Sequence, residues 1–181
     1  MIRTARLLLR RWRPEDLAPF AALNADPEVM AHMPSVLTRA QSDALVDAAE
    51  AHYERHGFGL WAVEAPEGLV GWCGLKVPPD GVPAGAPVEV AWRLARAAWG
   101  RGYATEAGTA SLVNAFDVLA LPAVASFTAT SNARSQAVMR RLGMPRVGEF
   151  EHPALPEGHP LRLHVLHRAG AATWVRPPAA P

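Results

Sequence analysis

Cysteine is nearly absent from this chain. Cys73 is the only one in 181 residues, so no disulfide can close within a single chain. Its place in the apolar run Leu69-Val70-Gly71-Trp72-Cys73-Gly74-Leu75 marks it as a small buried hydrophobe rather than a nucleophile. Lysine is equally scarce. Lys76 stands alone and away from any glycine-rich turn, which excludes the ATP-type phosphate loop with its Gly-Lys-Ser/Thr ending. Long apolar runs are missing too. None approaches the ~20 residues of a bilayer span, and Leu7-Leu8-Leu9, set among Arg3, Arg6, Arg10, Arg11 and Arg13, is too short for the core of a signal peptide. A cytoplasmic location is the expectation. The charge balance is close to neutral, with a formal net charge of +1, so no concentrated basic field invites nucleic acid, and nothing points to a membrane partner. A monomer or homodimer is expected. At 181 residues and 50% hydrophobic, the chain buries one core and is short for two. This reads as a single domain over residues 1–170 with a Pro/Ala-rich tail over 171–181.

What the chain does have is a turn built for an anion. In Trp99-Gly100-Arg101-Gly102-Tyr103-Ala104-Thr105-Glu106-Ala107-Gly108-Thr109 a strand-like run passes into a helix-like run through two glycines. The glycines allow positive φ and close backbone approach. The first N–H groups of the following helix are free and sit at the positive end of its dipole. Ala104, Ala107 and Ala110 keep the early helix slim, so that it can lie near both a sheet and a ligand. The same glycine pair is also ordinary turn chemistry in α/β proteins. The dinucleotide fingerprint does not apply, because position 105 is Thr and the next strand, Val124 to Ala129, has no terminal carboxylate.

Periodicity predicts a first strand over Ala5–Trp12 and a helix opened by Pro14-Glu15-Asp16, with Leu17, Phe20, Ala21 and Leu23 inward. Asn24 to Pro34 is irregular. A second helix runs from Thr38 to about His56, with Ala40, Ala44, Leu45, Ala48, Ala49 and Tyr53 inward. Strand-like runs at Gly59–Glu64, Leu69–Val77 and Val88–Leu94 form an antiparallel meander, the last two separated by the Pro-rich loop Pro78–Pro87. Helix 103–119, strand 123–129, helix 133–142 and strands 146–150 and 161–168 follow. The pattern is a mixed α/β sheet.

In that order, Ala5 to Trp12, Asn24-Ala25-Asp26-Pro27-Glu28-Val29, Gly71 to Leu75, Trp99 to Ala107, Asn132-Ala133-Arg134-Ser135 and Met139-Arg140-Arg141-Leu142-Gly143-Met144 resemble the GCN5-related N-acetyltransferases. The nearest type is the bacterial RimJ/RimL-like branch. The resemblance covers the chain to about residue 168. It implies a mainly antiparallel sheet of about seven strands flanked by about four helices, in which the strand Val88–Leu94 bulges and splays from the next. It implies acetyl-CoA as co-substrate, with the pantetheine on backbone groups of Trp92, Arg93 and Leu94. The pyrophosphate would lie on the N–H groups from Gly100 to Thr105, flanked by Trp99 and Arg101 and with Tyr103 and Ala104 in the first turn, and Asn132 would make a further cofactor contact. Asn132 reads equally as a helix N-cap for Arg134 or Ser135. The family's usual Gln or Arg three residues before the first glycine is Ala97 here, with Arg96 one place earlier.

Transfer of an acetyl group from a thioester to an amine needs a neutral amine, donors for the oxyanion, and a proton for the leaving thiolate. Ser135 is the candidate for proton delivery. Glu89 is the candidate base; alternation places it with Ala91 and Arg93, which equally allows a solvated charge paired with Arg93. Glu149 and Glu151 are its rivals. No metal is expected: His164 and His167 point to opposite faces of one strand. His152 and His159, in the proline-stiffened segment 150–160, border the acceptor side in such a fold. Trp61, Trp72 and Trp92 are read as core or as walls of an apolar pocket. The reading is an N-acetyltransferase acting on a primary amine, either a protein N-terminal α-amine or a small-molecule amine, by direct attack in a ternary complex. The alternative is a non-catalytic acyl-CoA-binding sensor or partner-binding domain of the same fold.

Overall fold

The computed structural model describes residues 1–178; residues 179–181, the end of the expected tail, lie outside the described residues. One sheet of eight strands runs in the order β1-β2-β3-β4-β5-β6-β8-β7. These are β1 (Ile2–Arg3), β2 (Leu8–Arg10), β3 (Leu60–Ala65), β4 (Gly68–Lys76), β5 (Val88–Leu94), β6 (Ala123–Ala129), β7 (Arg146–Glu151) and β8 (Leu163–Gly170). Every pairing is antiparallel except β5 with β6. Four α-helices flank it: α1 (Leu17–Ala25), α2 (Arg39–His56), α3 (Tyr103–Val113) and α4 (Ala133–Arg141).

The sheet has eight strands rather than seven because Ile2–Arg3, ahead of the expected strand Ala5–Trp12, forms a strand of its own, while the expected one shortens to Leu8–Arg10. Glu106 on α3 accepts hydrogen bonds from Thr4 Oγ1 (2.6 Å) and the Arg6 N–H (2.9 Å), which folds residues 4–7 into a turn and leaves Ile2–Arg3 to pair back on Leu8–Leu9. The helix expected over 103–119 keeps its length, but its last turn, Asn114–Val118, widens to the π type, with the Leu119 N–H bonded to the Asn114 carbonyl at 3.0 Å.

Helix α2 begins where Thr38 and Gln41 cap each other reciprocally and ends at Gly57 in the left-handed region. Its buried face is Ser42, Val46 and Ala49, rotated from the expected one; Ala40, Ala44 and Ala48 are exposed and Leu45 is 43% exposed. The cause is Asn24 of α1, fully buried, whose Nδ2 donates to Ser42 Oγ at 2.9 Å and so makes a buried serine cheap.

Two layers sandwich the sheet. On one face Cys73, Leu75, Val88 and Val90 pack under Ala107, Ala110 and Leu112 of α3. The alanines do what a slim helix does, letting its axis sit close to the strands. On the other face Phe20 and Leu23 of α1 and Val46 of α2 pack with Trp12, Leu69 and Trp72. Further along this second face, the loop Pro78–Pro87 lays Ala84 on Ala125 and Leu166. Trp174 packs on Phe116 with ring centroids 5.2 Å apart and donates to the Leu142 carbonyl at 2.7 Å, so packing continues past the boundary expected at residue 170. Among the described residues no helix is long and apolar enough to cross a membrane.

Candidate active site

The site begins with a pairing that stops. The parallel strands β5 and β6 share register only at Val88↔Val124 and Glu89↔Ala125. Beyond that point β6 follows β8 as far as Ala129↔His164, while β5 stays with β4 as far as Leu94↔Gly71. The two strands therefore splay, leaving a row of unshared backbone groups on Val90 to Leu94. The bulge expected in β5 is not found: its register with β4 runs without a shift from Lys76↔Glu89 to Gly71↔Leu94. Its path instead depends on Gly71, where φ is +142° and a Cβ would lie 2.2 Å from the Arg93 carbonyl oxygen.

The splay opens into a cleft of about 1000 Å³ that passes through the sheet from the mouth of α3 to the α1/α2 face. At one end stands the glycine turn. Gly100 (φ +77°) and Gly102 (φ +80°) are both left-handed, and nothing lies within 4 Å of where a Gly100 Cβ would be. Gly102 is the N-cap of α3 and offers no side chain, so the N–H groups of Tyr103, Ala104 and Thr105 are left to a ligand. Such open, donor-rich backbone fits a diphosphate. Trp92, Arg93, Leu94, Trp99, Gly100, Gly102, Tyr103, Ala104, Thr105 and Asn132 all line the cleft; Arg101 does not. Its guanidinium turns away to Glu67 Oε1 at 2.5 Å. Arg96 pairs with Glu28 at 2.9 Å, and it and Arg134 both lie over the Trp99 ring, the two Cζ atoms 4.9 and 4.5 Å from its centroid.

On the other wall, Asn132 caps α4. Its Oδ1 accepts from the Ser135 N–H at 3.1 Å, and its Nδ2 donates to Thr128 Oγ1 at 3.0 Å and to Ser135 Oγ at 3.2 Å. The amide thus fixes the serine hydroxyl as an acceptor on one side, so that its O–H points elsewhere. Ser135, Ser126 and Thr128 all face the cleft.

Glu89 is also on the cleft wall, only 4% exposed. It is neither a solvated charge nor a partner of Arg93. Its neighbour is Lys76, directly across on β4, with Nζ 3.3 Å from Glu89 Oε2 at an angle that makes an ion pair but not a hydrogen bond, so Oε2 keeps a free acceptor position. Burial pushes the Glu89 carboxyl above the usual carboxylate range, with Lys76 opposing. The rivals are elsewhere: Glu149 pairs with Arg146, and Glu151 with Arg162 at 2.8 Å, both at the exposed outer strand β7.

The sequence points to His152 but not to the neighbours that tertiary packing brings to it. His152 and His164 pack at a tilt of 45° with ring centroids 4.8 Å apart, beside Phe127 and Phe150, and both imidazoles are held below the ordinary histidine range by burial. His152 and His164 line the cleft and His159 does not. His167, on the opposite face of β8, is buried with Nδ1 2.8 Å from the Met144 carbonyl. Trp61 belongs to the core, whereas Trp72 and Trp92 reach the cleft. Cys73 is fully buried and its thiol is pushed up to about 12 by desolvation, which removes it as a nucleophile. Among the described residues no three His, Cys, Asp or Glu side chains converge as metal ligands.

Comparison with known proteins agrees with this geometry. The family model described as an acetyltransferase (GNAT) domain matches residues 6–145. The uncharacterised protein YkkB of Bacillus subtilis (strain 168) is 28% identical over 144 residues, covering 78% of this chain and 83% of its own. The structure of an acetyltransferase (GNAT family) from Bacillus anthracis superposes with a TM-score of 0.78 at 24% identity, covering 94% of this chain and 98% of that one. RimJ of Mycobacterium smegmatis, in complex with CoA-disulfide, shares the fold with a TM-score of 0.72 at 20% identity, covering 92% of this chain and 82% of that one. With its splayed strands, bare helix N-terminus and a family match spanning most of its length, the chain belongs to the GNAT acetyltransferase domain family and is an acyltransferase.

Proposed function

We propose that the protein is an N-acetyltransferase of the RimJ/RimL-like branch, which moves the acetyl group of acetyl-CoA to a primary amine within a ternary complex. Residues 1–170 would act as one catalytic domain in the cytoplasm. The observation that carries the reading is the splay of β5 from β6, opening onto the uncapped N-terminus of α3.

Acetyl-CoA, when bound, supplies the acetyl group already activated as a thioester. The N–H groups of Gly100 to Thr105 hold the diphosphate, and Trp99 and Tyr103 close the sides of that seat. Backbone groups of Trp92, Arg93 and Leu94, unshared with β6, take up the amides of the pantetheine arm as an added strand would. That places the reacting carbonyl near the middle of the splay, where free N–H groups of β5 face the oxygen on which charge develops. Glu89, with its free acceptor oxygen and raised proton affinity, takes a proton from the incoming amine, directly or through one water. Ser135, its orientation set by Asn132, gives the departing sulfur its proton and regains one from solvent water, as Glu89 releases its own to solvent. RimJ with CoA-disulfide shows that this fold accommodates the CoA moiety, which supports the assignment of the donor.

Thiol release measured with acetyl-CoA against a panel of amines and free-N-terminal peptides tests the proposal. Release that depends on the amine, with an N-acetylated product by mass, is expected. Tight binding of acetyl-CoA with no acetyl transfer to any amine would overturn it in favour of a sensor.

A further inference from the structure

Among the described residues the buried and half-buried arginines are met by carboxylates, with one exception. Arg10 has Asp16 and Glu64, Arg11 has Glu50 and Glu54, and Arg6 has Glu106. Arg93 is the exception. It lies on the cleft wall in the middle of the α1/α2 face, and among the described residues no carboxylate compensates its charge. Its Nη1 donates to Asn24 Oδ1 at 2.7 Å, its Nη2 approaches Met33 Sδ at 3.1 Å, and its Cζ sits 5.6 Å from the Trp72 ring centroid. All three are neutral partners.

The guanidinium is nevertheless held. Asn24 is fully buried and anchored by Ser42, so β5, α1 and α2 meet at one hydrogen-bonded relay that points the arginine. Two of its five N–H donors are engaged by Asn24 and Met33; the others remain for a ligand. Desolvation lowers its affinity for the proton to about 10, the energetic mark of a cation awaiting an anion. Arg93 shares its face of β5 with Ala91 and Glu89. The two charged residues are separated by roughly 13 Å of strand, and Ala91 between them offers only a methyl group.

Resting on the transferase reading above, we propose that the acceptor carries a carboxylate close to its amine, bound by the fork of Arg93 while the amine lies over Ala91 toward Glu89. The substrate class is therefore a free amino acid or a similar small amino-carboxylate. A protein N-terminus, whose amine has no such group beside it, is disfavoured. The surrounding Trp72, Met33, Val29 and Phe20 select an apolar or aromatic side chain.

The test compares matched pairs: L-leucine, L-methionine and L-phenylalanine against their carboxamides, by acetyl-CoA-dependent thiol release. A carboxamide's amine is the less basic of each pair, so intrinsic reactivity at neutral pH favours the amide, and a preference for the acid must come from the protein. The native protein is expected to favour the acid in kcat/KM by ~10- to 100-fold, the usual worth of a charge-assisted bidentate contact. In Arg93→Gln that ratio collapses toward unity, mainly through the KM of the acid, and Arg93→Lys restores part of it. A merely structural role for Arg93 would lower both rates and keep the ratio, which overturns the proposal. Equal use of acids and amides by the native protein overturns it without any variant, while leaving the transferase reading intact. Failure of these pairs together with every amine and free-N-terminal peptide of the wider panel overturns both.

Discussion

Glu89 is a residue whose burial costs stability, and the cost has a sign that can be measured. Its folded pKa is raised, so the stability it contributes is present at low pH, where it is neutral, and is lost as pH rises through the raised value. Glu89→Gln, neutral throughout, is expected to melt higher than the native protein at pH 8 and to converge with it toward pH 4. Thermal melts across that range check this, at roughly 2–4 °C per kcal/mol for a chain of this size. The same substitution lowers kcat by about 100-fold or more if Glu89 is the base. Lys76→Met removes the cation that opposes the shift, so the acid limb of the kcat/KM profile moves to higher pH; an unmoved limb would take Glu89 out of proton transfer. Ser135→Ala should lower kcat and kcat/KM together, the pattern of a contact made in the transition state. Near-normal kcat in both Ser135→Ala and Glu89→Gln would return proton transfer to water. At this scale the sequence was legible where chemistry is local. The Asn132 cap and the face shared by Glu89, Ala91 and Arg93 follow from spacing alone. The pairing of Glu89 with Lys76 does not, because it depends on the register between β4 and β5.

The elements explain which glycines matter. At Gly71 a Cβ would meet the Arg93 carbonyl oxygen at 2.2 Å and the Leu94 Cα at 2.8 Å, both backbone, at a φ of +142°. Gly71→Ala must push β5 away from β4, and we expect acetyl-CoA affinity and stability to fall together. Gly100→Ala meets nothing within 4 Å, so its cost is that of a left-handed alanine, about 1–2 kcal/mol. Denaturant melts of the two variants check the contrast; equal losses would mean that the β4–β5 approach is not what Gly71 serves. The strand and helix sequence was readable from period and turn residues, including the glycine turn and both ends of α2. The phase of α2 was not. Apolar counting turned Leu45 inward, whereas the structure buries Ser42, because a partner for its hydroxyl lies 18 residues earlier at Asn24. The extra strand Ile2–Arg3 was hidden for the same reason, since the group that folds residues 4–7 is Glu106, about a hundred residues away.

Across the whole molecule, the sheet creates the site by failing to close. Six of the seven strand pairings are antiparallel ladders, yet at the single parallel junction β5 and β6 part after two residue pairs. Both faces feed into that gap. The α3 side brings the positive end of a helix, and the α1/α2 side brings Glu89, Arg93 and a wall of aromatic side chains. The mixed α/β class was visible in the order of runs along the chain. The extent of the gap was not, because it is set by where pairing ends rather than by any residue's own preference. The central claim is that acetyl-CoA occupies this gap with its diphosphate against Gly100–Thr105. Calorimetric titration of acetyl-CoA into the native protein and into Gly102→Trp, with the fold of the variant verified by circular dichroism, tests it most directly. The account predicts saturable binding to the native protein and a loss of at least about tenfold in the variant, equivalent to 1.4 kcal/mol, because an indole at that position blocks the backbone's approach to the phosphates. Equal affinity in the two proteins, or no binding to the native one, would contradict it.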